Sequence, residues 1–196
     1  MLPILQAPAD ENDTLATVIN YVMAISHHMG RTHTIITADQ PLYSKGKELV
    51  WTNSKFESVI FLMGGLQICF NFLKSIGPHM ESARLGDLWT EIDVYAANTT
   101  QTMLDGKVYY RAVRGHPLTY EALATQVANI QVIHQAHSDN PNFKMWSTYI
   151  SMIEILLDFI RAERDGNWIL HLEAFTAMLS WLTIYYHTNY AQWVPA

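Results

Sequence analysis

Asp39 is the first residue whose type and position suit chemistry. It follows the β-branched run His33 to Ala38 and precedes Gln40-Pro41, placing it between a predicted strand and a predicted helix. A carboxylate at a strand end is a candidate catalytic acid and can hold Mg2+ or Mn2+ for phosphodiester chemistry. The same position suits an N-cap that satisfies free amides of the next helix. Gly64 and Gly65, followed by Leu66 and Gln67, form a second strand-to-helix turn that lets a backbone approach closely. The turn lacks the spacing of a dinucleotide fingerprint and the lysine of a phosphate-cradling loop. Lys107, Arg111 and Arg114 recur at i, i+4 and i+7 beside Tyr109 and Tyr110. A basic stripe with aromatic neighbours can follow a phosphate backbone and stack on bases, making these three the nucleic-acid-binding candidates. The plainer reading is a solvated helix face.

Other reactive residue types carry less. His134 and His137 share a helix face, but only Asp139 lies near them at ligand spacing. The remaining histidines are scattered, and hydrogen-bonded or surface roles suit them. Cys69 falls in an apolar stretch and reads as an inert core thiol. Glu154 and Asp158 share a side of one helix, where Arg161 and Arg164 make structural partners. The aromatic run from Trp181 to Trp193 reads as packing.

The elements that must position these residues follow from periodicity. Leu15, Val18, Ile19, Val22 and Ile25 keep helical spacing after a cap at Asn12 or Asp13, and Gly30 ends the helix. Residues 33–38 and 59–63 read as strands, the second a continuous apolar run of the kind covered on both faces in parallel sheets. A helix from Pro41 to about Trp51 joins them. Another starts at Gly64-Gly65 and ends or bends at Gly77-Pro78. From residue 81 onward the pattern is helical, punctuated by Gly106, Gly115-His116-Pro117, Asp139-Asn140-Pro141 and Asp165-Gly166-Asn167. The fold class expected is therefore α/β and strongly α-rich, with a small, mainly parallel sheet and a large helical block. Residues 1–80 form the α/β part and 81–196 the helical part of a single domain. Two strands leave two raw edges, so further strands are expected elsewhere in the chain, in a partner, or in chain beyond these residues.

Composition sets outer limits. The 196 residues are 49% hydrophobic and 15% charged, with six Trp, ten Tyr and nine Met. Low charge and many large apolar side chains point to an additional buried surface, such as an oligomer contact. A net charge of −6 excludes a global pull toward nucleic acid, so such binding needs a local basic patch. A single cysteine forbids an internal disulfide and suits an intracellular, nuclear or cytoplasmic setting. The amino-terminal residues lack a signal-peptide pattern, and no apolar run is long enough to span a membrane.

Five segments in order carry a family resemblance. They are 36–43 (Ile-Thr-Ala-Asp-Gln-Pro-Leu-Tyr), 64–67 (Gly-Gly-Leu-Gln), 71–77 (Asn-Phe-Leu-Lys-Ser-Ile-Gly), 106–116 around Arg111, and 164–168 (Arg-Asp-Gly-Asn-Trp). Together they resemble a group of multicopy proteins linked to transposable elements in animal genomes and longer than this chain. The resemblance implies a fragment of a divergent, transposase-type core of the ribonuclease H-like fold, where strand-end carboxylates hold divalent metals. It places Asp39 at the group's first acid and Lys107, Arg111 and Arg114 on its basic helix. Gln67 stands where the group commonly has His, and a neutral amide is a poor ligand and no base. The expectation is a transposon-derived, nucleic-acid-associated domain without robust catalysis of its own. A protein-interaction or oligomerisation module with no nucleic-acid role is the alternative, and a metal-dependent nuclease or transposase fragment the third. The partners to test are DNA, a second copy of the chain, and the remainder of a longer chain.

Overall fold

The computed structural model describes residues 6–130 and 140–185. The chain divides into two compact units, Met1–Gln67 and Ile68–Ala196. In the first, helix α1 (Asn12–His28) leads through Gly30, at φ 71°, to strand β1 (Thr34–Ala38). Helix α2 (Gln40–Thr52) follows, and then strand β2 (Val59–Met63). The strands pair in parallel, with Ile35 beside Ile60 and Ala38 beside Met63. Parallel neighbours need a crossover, and α2 supplies it. It lies close over β2 because Gly46 has no side chain: a Cβ there would stand 2.5 Å from the Phe61 ring. Tyr43, Phe56, Val59 and Phe61 are buried in this layer, with Leu15 and Ile19 of α1.

Alternation along the strands decides which face is covered. Thr34, Val59 and Phe61 are buried, whereas Ile35, Thr37 and Ile60 are exposed. The run 59–63 was expected to be covered on both faces; Ile60 instead stands 43% exposed. The continuous apolar sequence is therefore not a sign of double burial in this unit. Each strand also has one outer edge without a strand partner among the described residues.

The second unit contains most of α3 (Gly65–Met80), with α4 (Leu85–Glu91), α5 (Ala97–Leu104), α6 (Tyr109–Ile130), α7 (Pro141–Asp165) and α8 (Trp168–Ile184). Asn140 caps α7 by accepting from the Asn142 amide at 2.9 Å, and Asn167 caps α8 by accepting from Leu170 at 3.1 Å. Between them Gly166 turns the chain at φ 63°, so α7 and α8 form a tight hairpin. Its core holds Tyr149, Ile153, Leu156, Phe159, Met178 and Leu182.

Helix α3 passes Gly77-Pro78 and ends soon after at Met80, close to the expected end, whereas the predicted break in α6 is absent: that helix runs through Gly115-His116-Pro117. Pro117 removes the amide that would meet the Val113 carbonyl one turn earlier, and α6 continues despite that loss. Thr119 Oγ1 donates to the Gly115 carbonyl at 3.0 Å, and the Tyr149 hydroxyl reaches that of His116 at 3.4 Å. The caps also differ at α1. Glu11 holds the N-cap position and makes no side-chain cap bond, while Asn12 and Asp13 lie inside the helix. Among the described residues no helix is long and apolar enough to cross a membrane. His134, His137 and the end of the aromatic tail lie outside the described residues.

Candidate functional site

Asp39 lies where the sequence pattern places it, between the end of β1 and the first turn of α2. Its Oδ1 accepts the Leu42 amide at 3.2 Å, so the carboxylate caps α2 and meets the positive end of the helix dipole. Pro41, in the first turn, has no amide to leave unsatisfied. Gly64 closes the adjacent end of the sheet by donating its amide to the Ala38 carbonyl at 2.9 Å, and Gly65 opens α3. The Gln67 amide then donates to the Gly64 carbonyl at 3.0 Å, tightening that turn.

Beside Asp39 is a cleft of about 500 Å3. Leu15 and Val18 of α1, Ile36 of β1, Leu42 of α2 and Phe61 of β2 make its apolar walls, and Thr14 and Thr37 also line it. Asp39 is the sole charged residue lining it among the described residues. Gly64, Gly65 and Gln67 are not part of that lining, so the two turns singled out in the sequence do not share this cleft.

The resemblance implies divalent metals at such an acid, and the donor set tests that. A phosphodiester centre needs several convergent oxygen ligands. Among the described residues no group of three or more His, Cys, Asp or Glu could hold a metal ion. One exposed carboxylate, with an oxygen already given to Leu42, does not make such a centre.

The basic residues are less aligned than their spacing predicts. Lys107 lies before α6, in the turn after Gly106, and its ammonium pairs with Asp105 at 2.8 Å. Arg111 and Arg114 do sit on α6 and are exposed, and Arg111 Nη1 donates to Thr99 Oγ1 at 3.3 Å. Tyr110, beside them, is 81% exposed. A helix begun at Lys107 would have put all three cations on one face. The Asp105-Gly106 turn, with Gly106 at φ 67°, delays the helix to Tyr109.

The family model described as Domain of unknown function (DUF8702) matches residues 1–140 and 128–196, which together span the chain. The chain belongs to this family. No curated protein and no solved structure matches it.

The interior of this DUF8702 chain holds a polar cluster that the sequence pattern concealed. His116 is fully buried in α6, with its ring 5.0 Å from that of Trp89. Its Nδ1 lies 3.0 Å from the Tyr149 hydroxyl, and Nε2 has no partner among the described residues. An Nδ1–H that donates to Tyr149 leaves the tyrosine proton free for the His116 carbonyl, using both contacts and stranding only a lone pair. Trp89 Nε1 donates to Thr119 Oγ1 at 2.7 Å, which ties α4 to the same cluster. Burial drives the His116 pKa down to about 3, so the ring is neutral at neutral pH.

Two further side chains act as ties in the second unit. His79 Nε2 donates to the Met145 carbonyl at 3.2 Å and Nδ1 meets the Tyr185 hydroxyl at 2.9 Å, so one ring joins α3, α7 and the end of α8. Cys69 is buried, and desolvation pushes its thiol up to about 12 despite a hydrogen bond from Tyr109. A thiol so placed is protonated at neutral pH and a poor nucleophile. Glu154 accepts from the Tyr120 hydroxyl at 3.0 Å, while Asp158 pairs with Arg161 at 3.6 Å; both contacts are structural.

Proposed function

We propose that this chain is a protein-association module of transposable-element descent, without a catalytic centre of its own, and that its partner is a second copy of the chain. One observation carries the reading: Ile35 and Ile60 are side-by-side partners on the same sheet face, exposed by 63% and 43%. Parallel sheets are normally covered on both faces, and a two-stranded sheet is marginal alone. A bare apolar face with open edges is a surface that gains by burial against protein. Closed symmetric pairs are the commonest form of self-association. The ribonuclease H-like resemblance points the same way, since it implies a larger sheet than two strands.

Hydrogen exchange tests the reading. Amide protection in residues 34–38 and 59–63 is expected to rise as protein concentration increases over a hundredfold range. Protection independent of concentration overturns it.

A second reading rests on Arg111, Arg114 and the exposed ring of Tyr110, which together could hold a nucleic-acid strand. It is the weaker reading, because Lys107 is paired with Asp105 and the chain is acidic.

A further inference from the structure

We infer that the cleft beside Asp39 is a binding site for a small organic cation, an ammonium group carried on an apolar body. The volume of about 500 Å3 suits a fragment-sized molecule, and the walls are chiefly aliphatic with the Phe61 ring. Polar residues on the lining are few: Thr14, Thr37 and Asp39. That arrangement, an apolar surface with a small number of orienting polar groups, is the usual composition of a ligand site.

Charge decides the class. Asp39 is the sole charged residue on the lining among the described residues, and the chain as a whole carries −6. An anion would meet an unfavourable field there, whereas a cation is drawn in and finds a carboxylate. Leu42 occupies Oδ1, and Oδ2 takes no hydrogen bond from a described residue, so an ammonium N–H has an acceptor available. Of the two lysines in α2, Lys45 is held by Asp10 through both the carbonyl and a 3.8 Å ion pair, and Lys47 lies over the Trp51 ring. Both ammonium groups therefore have partners other than Asp39. Residues Ala7 and Ala9, next to Asp10, form part of the cleft wall, so the Lys45 contact also holds that wall in place.

The test is an amide-NMR titration of the full chain with phenethylammonium chloride at constant ionic strength. Phenethyl alcohol and phenylacetate serve as the neutral and anionic counterparts. Saturable shifts are expected at the end of β1 and the start of α2, with phenylacetate silent. The Asp39→Asn variant keeps a capping side chain, so the fold is retained while the charge is removed. It should weaken phenethylammonium binding by about fivefold, the size of a solvated ion pair, and leave phenethyl alcohol unchanged. Thr14→Trp, which fills the cleft, should abolish binding of both. Equal affinity for the ammonium and the alcohol overturns the proposal. So does an Asp39→Asn variant that binds like the wild type, binding that survives Thr14→Trp, or no binding at all.

Discussion

Ile35 of β1 is the register partner of Ile60 of β2, and both side chains stand in solvent on the same face of a parallel pair. The opposite face, with Val59 and Phe61, is buried under the helical layer. The first unit thus spends its helices on one side of the sheet and leaves the other side apolar and bare.

That contrast sets the salt dependence of the two functional readings in opposite directions. Copies carrying −6 each repel, and added salt screens the repulsion, so self-association through isoleucine contacts should hold or strengthen between low and moderate ionic strength. Binding of duplex DNA through Arg111 and Arg114 would instead weaken, with a log–log slope of about −1.8 for two phosphate contacts. Light scattering and fluorescence anisotropy over one salt series read both. A steep salt-sensitive DNA isotherm, lost in the Arg111→Ala/Arg114→Ala double variant, would favour the nucleic-acid reading.

Asp39 is predicted to be worth a helix cap. Asp39→Ala should lower stability to urea by about 1 kcal/mol, while Asp39→Asn, which still caps, should change it by only a few tenths. Addition of Mn2+ or Mg2+ should shift the melting temperature of neither the wild type nor Asp39→Asn. Metal-dependent stabilisation lost in Asp39→Asn would restore a metal site to that carboxylate.

His116 predicts acid sensitivity in the second unit. Its folded pKa, about 3, lies below the ordinary histidine value of about 6.5. The unfolded chain therefore binds the proton first. This contribution to stability is fully present above pH ~6.5 and is lost as pH falls toward 3, at about 1.4 kcal/mol per pH unit. Urea unfolding followed by Trp fluorescence between pH 7 and pH 4 should show that slope. A His116→Phe variant should be less stable at pH 7, having orphaned Tyr149, but flatter with pH; an equal slope in both would show that other groups carry the acid response.

Close helix contact makes a third structural prediction. A Cβ on Gly77 of α3 would collide with the backbone carbonyl of Leu104 in α5. Alanine normally gains about 1 kcal/mol over glycine inside a helix. Here overpacking against a rigid carbonyl should outweigh it, giving a net loss of about 1–3 kcal/mol for Gly77→Ala. Gly115→Ala meets the flexible Met103 methyl at 2.5 Å and should cost less. Chemical denaturation of the two variants checks the order.

What was legible in the chain was local. Asp39, Asn140 and Asn167 sit before helices as short polar caps, Gly30 and Gly166 end helices at positive φ, and the two β-branched or apolar runs became the paired strands. What was not legible depended on distant residues. Helix α6 continues through Pro117, and the Tyr149 hydroxyl that reaches the neighbouring His116 carbonyl comes from 33 residues away. The burial of His116 rests on Trp89 and Tyr149, neither of which is near it in sequence. Lys107 left the basic stripe because Gly106 delayed the helix, a difference of only two residues that spacing alone does not reveal. The cleft beside Asp39 draws on α1, β1, α2 and β2 together and has no signature in any one of them.

The most direct test of the association reading is sedimentation equilibrium of the full chain beside an Ile35→Lys/Ile60→Lys variant, from micromolar to submillimolar concentration. Both substitutions fall at exposed positions, where stability should change little. The account predicts a mass that rises from monomer to dimer in the wild type and stays monomeric in the variant. A wild type that remains monomeric throughout, or a variant that dimerises equally, would contradict it.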